Sequence, residues 1–139
     1  MTFGPTNPGF ILCDIKYIDY LDPNRAVKSA YVGLRGGTVT VLVVINNTWI
    51  VGVEQLRIAA GKRIQEAVAG MIDESENLAG AAAKELYEES GIKISEKELI
   101  SLGSFYTTVG FFDEKIQAYA AEVTLSEEKL QEIVCKLHG

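Results

Sequence analysis

Glu85, Glu88 and Glu89 lie three and four positions apart in the stretch from Asn77 to Ser90. On a helix, residues at those spacings share a face. A helix is predicted there because Leu78, Ala82 and Leu86 repeat every fourth residue, alanines fill the middle, and Gly91 stands where a C-terminal cap belongs. Like charges so spaced weaken an isolated helix by about 0.2–0.5 kcal/mol per pair. Glutamates near the helix C-terminus also oppose its dipole. Lys84 precedes Glu88 in the less favourable order for a pair four residues apart. Such a cluster invites an external cation, and Mg²⁺ suits it, being a hard ion that takes carboxylate oxygens and substrate phosphates. Three glutamates on a helix can equally form a solvated face, and spacing alone leaves both readings open.

The pattern around these residues is longer than the cluster. Gly70, Glu76, Glu85, Leu86, Glu88, Glu89, Gly91 and Ile92 fall in one register. It resembles the Nudix box, Gly-x5-Glu-x7-Arg-Glu-U-x-Glu-Glu-x-Gly-U, where U is a bulky aliphatic residue. The resemblance implies a Nudix-type α/β/α sandwich with a mixed sheet. It implies that Glu85 and Glu89 are the main divalent-metal ligands, that Glu88 assists, and that Glu76 braces or water-ligates the site. Lys84 stands where the family has Arg. It keeps the charge without the bidentate fork, so reduced activity is expected, not absence.

Further residues resemble the ADP-ribose and sugar-nucleotide pyrophosphatase branch. They are Glu54-Gln55-Leu56-Arg57, then Glu66-Ala67-Val68-Ala69-Gly70-Met71-Ile72-Asp73, then the run from Ser104 to Glu114. That branch implies a Mg²⁺-dependent (Mn²⁺ possible) hydrolase that splits the pyrophosphate of ADP-ribose or a related nucleoside-diphosphate sugar. Arg57 has a planar fork suited to phosphate oxygens, or it makes a surface ion pair. Glu66 binds substrate, orients Arg57 or faces water. The Ala69 carbonyl becomes a metal ligand by analogy. Glu114, after the Gly110 loop, becomes the base that activates water, although Val109 stands where the branch has Pro; a solvent-facing loop acid is the alternative. Phe111 and Phe112 stack a base or sugar, or belong to the core. Competing functions are a UDP- or GDP-sugar or oxidised-nucleotide diphosphatase, and a non-catalytic nucleotide-sensing module, which would have no need of a crowded cation site.

These residues need a scaffold. Period-two alternation marks a strand over Phe10 to Tyr20, and Asp22-Pro23-Asn24 marks a turn. A second strand runs from Lys28 to Leu34. Thr38 to Ile45, continuously apolar, is expected to be covered on both faces. Trp49 to Leu56 reads as one further strand, Ile58 to Ile64 as a connection and Gln65 to Val68 as a short strand. Strands near Leu99–Phe105 and Ile116–Val123 precede a final amphipathic helix. Residues 1–37 are thus expected to be an arm and hairpin, and residues 38–139 the Nudix domain. The apolar hairpin, with an edge open to pairing, suggests a homodimer.

With 139 residues, 47% hydrophobic and 23% charged, the chain reads as one globular domain. A net charge of −6 argues against polymeric nucleic acid and against anionic membrane. Cys13 and Cys135 form neither a zinc pattern nor a disulfide framework, and Met1 to Cys13, with no Lys or Arg before its short apolar stretch, does not read as a signal peptide, so a cytoplasmic location is expected.

Overall fold

The computed structural model describes residues 10–72 and 77–136, with side chains to residue 133. The arm at residues 1–9, Glu76 and the Cys135 side chain lie outside the described residues.

β1 (Ile11–Ile18) and β2 (Val27–Leu34) pair antiparallel, from Ile11 opposite Leu34 to Ile18 opposite Val27, and form a two-stranded sheet of their own. The second sheet is built on β3 (Thr38–Ile45). β9 (Lys115–Val123) runs parallel to β3 along its whole length, and β8 (Ile100–Tyr106) runs antiparallel to β9. The other edge of β3 is shared, with β7 (Val68–Met71) on its first half and β4 (Trp49–Ile50) at its end. β5 (Val53–Arg57) and β6 (Lys62–Glu66) make a second hairpin. Two helices complete the mixed α/β fold, α1 (Leu78–Ser90) and α2 (Glu127–Lys136).

The core lies on one face of β3. Val39, Val41, Val43 and Ile45 are buried, as alternation in a strand requires. Val68 of β7 and Ala81, Ala82 and Leu86 of α1 join them. Burying a side chain such as Leu86 contributes about 1.5–3 kcal/mol. The opposite face is covered less than its composition suggested, since Leu42 is 39% exposed. An apolar run marks a strand interior without saying which faces the helices reach.

Three expected boundaries differ. Gln65 to Val68 is not one short strand: β6 ends at Glu66 in the second hairpin, and β7 starts at Val68 on the edge of β3. Trp49 to Leu56 is not one strand: the Val51 N–H still donates to Val43 O at 3.0 Å, and the chain then leaves that sheet at Gly52 to begin the hairpin of β5. Ile58 to Ile64 is not a plain connection. Ile58–Ala60 is a 3-10 turn closed by Gly61 at φ +65°, and β6 starts at once. Glycine enters that left-handed region without steric cost. The reversal turns Gln55, Arg57 and Glu66 into neighbours.

Candidate active site

Asn77 caps α1, its side chain accepting from the Ala79 N–H at 3.2 Å, and Gly91 ends the helix at φ +74°. At about 100° per residue, Glu85 and Glu89 fall between Ala81 and Leu86, in the middle of the stripe that packs on the sheet. Glu88 falls on the flank and is exposed. The three glutamates share one side of the helix but differ in depth. Two are pressed toward β7 and the third faces solvent.

β7 receives the inward pair. A Cβ at Gly70 would overlap the Glu85 carboxylate, so glycine is what lets that carboxylate lie over the strand. Glu89 meets the preceding residue, the Ala69 N–H donating to its Oε2 at 3.4 Å. The Ile72 N–H donates to Gly37 O at 3.1 Å, which sets the phase of the β3–β7 ladder. By alternation, Ala69 turns both its N–H and its C=O away from β3. The Ala69 carbonyl thus projects from the same edge as the N–H that Glu89 accepts.

The second hairpin closes the site. Its register places Gln55 and Arg57 on one face with Glu66. Gln55 Nε2 donates to Glu89 Oε1 at 3.1 Å. Arg57 grips Glu66 with two donors, Nε to Oε1 at 2.7 Å and Nη2 to Oε2. That pair raises the Arg57 pKa and lowers that of Glu66. Of the readings open for Glu66, orienting Arg57 is the one the contact matches. Glu89 is different. Burial pushes its carboxyl above the ordinary carboxylate value, opposed by the Ala69 N–H, the Arg57 charge and the Gln55 amide.

Glu114 lies elsewhere. It accepts from Thr38 Oγ1 at 3.1 Å and Thr107 Oγ1 at 3.0 Å, and Arg35 Nε stands 3.4 Å away. Thr38 alternates with Val39, so it points away from the face that carries α1. Two strand spacings, roughly 10 Å, separate the β9 and β7 backbones. Glu114 thus meets Thr38 on the side of β3 opposite α1. Its loop is also docked: the Gly33 N–H donates to Phe111 O at 2.7 Å, the Asp113 N–H to Gly33 O at 3.1 Å, and the Arg35 N–H to Asp113 Oδ1 at 2.7 Å. Phe112 lies over Gly33 and 5.6 Å from the Phe10 ring, and Phe111 meets it edge-on at 4.8 Å. Both phenylalanines are placed at the joint between the first hairpin and this loop.

The NUDIX domain family model matches residues 35–133. The chain belongs to the Nudix family. It is 33% identical over 108 residues to an ADP-ribose pyrophosphatase of Bacillus subtilis (strain 168), covering 77% of this chain and 57% of that protein. It is 28% identical over 118 residues to Nudix hydrolase 14, chloroplastic, of Arabidopsis thaliana, covering 76% of this chain and 38% of the other. A methanol dehydrogenase activator of Bacillus methanolicus is 35% identical over 100 residues, covering 72% of this chain and 53% of that protein. The chain thus spans between 38% and 57% of the length of these relatives.

Nudix hydrolases generally use divalent metal ions. Among the described residues, no three His, Cys, Asp or Glu side chains converge to hold an ion by themselves. The donors at β7 are nonetheless of the right chemistry: two carboxylates pressed toward consecutive residues, a backbone carbonyl on the same edge, and oxygen throughout. They fit a hard divalent cation. Gln55, Thr38, Thr107 and Arg35 went unassigned in the sequence. Gln55 and Thr107 lie within the runs that resemble the pyrophosphatase branch, but neither carried a role there. Among the described residues no helix is long and apolar enough to cross a membrane.

Proposed function

We propose that this protein is a divalent-metal-dependent hydrolase that cleaves the pyrophosphate of ADP-ribose or a related nucleoside-diphosphate sugar. The observation that carries the reading is the placement of Glu85 over Gly70 and Glu89 against Ala69, with the Arg57 fork beside them on the hairpin face. The similarity to a protein named ADP-ribose pyrophosphatase supports the substrate class.

Glu85, Glu89 and the Ala69 carbonyl would hold Mg²⁺ or Mn²⁺, which supplies charge neutralisation and polarisation of phosphorus. Arg57 is held in plane by Glu66 and offers its remaining N–H groups to the diphosphate oxygens. Exposed Glu88 adds negative charge at the mouth, where a hydrated cation arrives. Water attacks one phosphorus, and its bond to the bridging oxygen breaks. With ADP-ribose the products are AMP and ribose 5-phosphate. Glu114 takes the water's proton in this reading, which requires its loop to turn it from Thr38 and Thr107 toward the α1 face. A panel of nucleoside-diphosphate sugars with Mg²⁺, read by phosphate release after phosphatase coupling, tests the proposal. Cleavage of ADP-ribose is expected. No turnover of any panel member with Mg²⁺ or Mn²⁺ would refute it.

A further inference from the structure

We propose that Gln55 is a positioning residue for the metal-binding carboxylate of Glu89. The inference rests on Glu89 being a metal ligand but not on which substrate is cleaved.

The geometry is specific. Glu89 projects from the middle of the buried face of α1, where a flexible side chain has several rotamers open to it. Two donors from two different elements fix it. The Ala69 N–H of β7 reaches Oε2 at 3.4 Å, and Gln55 Nε2 of β5 reaches Oε1 at 3.1 Å. Each oxygen therefore has one neutral donor and keeps lone pairs for a cation. A neutral amide suits this position. A lysine at 55 would cancel the charge that attracts the ion, and a glutamate would repel Glu89. Gln55 is itself aimed by the hairpin, since β5–β6 pairing puts it on the same face as Arg57 and Glu66. The hairpin thereby acts on the cation site through one amide, while Arg57 serves the phosphate side. A ligating carboxylate commonly depends on such a hydrogen-bonding partner, and its loss costs about 10–100-fold in metal affinity or activity.

The test measures metal apart from turnover. Mn²⁺ binding to the full chain is followed by the electron paramagnetic resonance of free Mn²⁺, with no nucleotide present. Gln55→Leu should weaken binding by about 10-fold or more, with a matching rise in the Mg²⁺ needed for half-maximal hydrolysis. The substrate KM at saturating Mg²⁺ should stay near that of the parent. Glu54→Ala is the control for hairpin integrity, because Glu54 pairs with Arg63 on the other face of the same strand. It should bind Mn²⁺ as the parent does. If Gln55→Leu melts too early to measure, Gln55→Asn withdraws the amide by one methylene and should show the same weakening. Mn²⁺ affinity within about twofold of the parent in a folded Gln55 variant overturns the proposal. So does equal weakening by Glu54→Ala. A parent chain that binds no Mn²⁺ overturns both this proposal and the metal reading. Gln55-dependent Mn²⁺ binding without cleavage of any nucleoside-diphosphate sugar sustains the proposal and refutes the substrate assignment alone.

Discussion

At Glu89 the requirements of folding and of chemistry oppose each other. The carboxylate must be charged to hold a cation, yet burial favours its protonated form. An acid whose pKa is higher in the fold than in the open chain binds more protons when native. Between the ordinary value of 4.5 and the raised one, stability must then fall as pH rises. With chelator present, the Tm of the parent should decline more steeply as pH rises above 4.5 than that of Glu89→Gln. Parallel curves would show that the carboxylate carries no such cost. In Mg²⁺, Glu89→Gln should abolish hydrolysis; near-normal turnover would remove Glu89 from the metal site. Glu114 presents a different question, because Thr38, Thr107 and Arg35 already occupy it. If it is the base, Glu114→Gln should lower kcat by about 100-fold or more, leaving KM and Mg²⁺ dependence little changed. A drop under about threefold would pass the role to Glu88 or Asp113. A large loss rescued by high Mg²⁺ would make Glu114 a ligand instead.

Among the elements, α1 and β7 act as one unit through Gly70. Gly70→Ala would drive a methyl into the Glu85 carboxylate, so either that side chain turns away or the helix lifts. If the side chain turns away the cost is small; if the helix lifts, overpacking costs about 1–3 kcal/mol, a few degrees of Tm per kcal/mol. Activity should fall with it. In Gly70→Ala/Glu85→Ala the Tm should recover while activity stays absent, a non-additivity that calorimetry and a turnover assay would read together. Additive losses would mean that the two positions do not meet. The helix was legible in the sequence, because its fourfold repeat and Gly91 are local signals. So were β1, β3 and β9, through alternation and apolar runs. The break at Gly52 and the hairpin at Gly61 were not. Each turns on one glycine, and a glycine in a sequence marks flexibility without saying which way the chain goes. The outward turn of Glu88 was partly legible, since a wheel centred on Ala81, Ala82 and Leu86 already sets it aside. Gln55 needed the docking of α1 on β7, which no spacing records.

For the whole molecule, the first hairpin is the open question. Two strands alone are marginal in water, yet Val27 and Tyr31 are each 66% exposed on it, with Leu12 at 57%. Exposed apolar side chains on a two-stranded sheet call for a partner. We propose a homodimer through Phe10 to Leu34. Light scattering at micromolar concentration should give twice the chain mass, and Tyr31→Glu should return it to one. A 15.2 kDa particle from the unaltered chain would count against the idea. The joint between this hairpin and the loop of Glu114 is made largely of main-chain atoms: Gly33 N–H to Phe111 O, Asp113 N–H to Gly33 O. Backbone atoms are the same whatever residue carries them. The outward positions of β1 and β2 can therefore diverge freely, and a dimer surface can be rewritten there without unfastening the loop. Position 33 has no such latitude, since even a methyl would strike the Phe112 and Phe10 rings at 2.6–2.8 Å. The hairpin can change its company, but its hinge pin must remain a glycine.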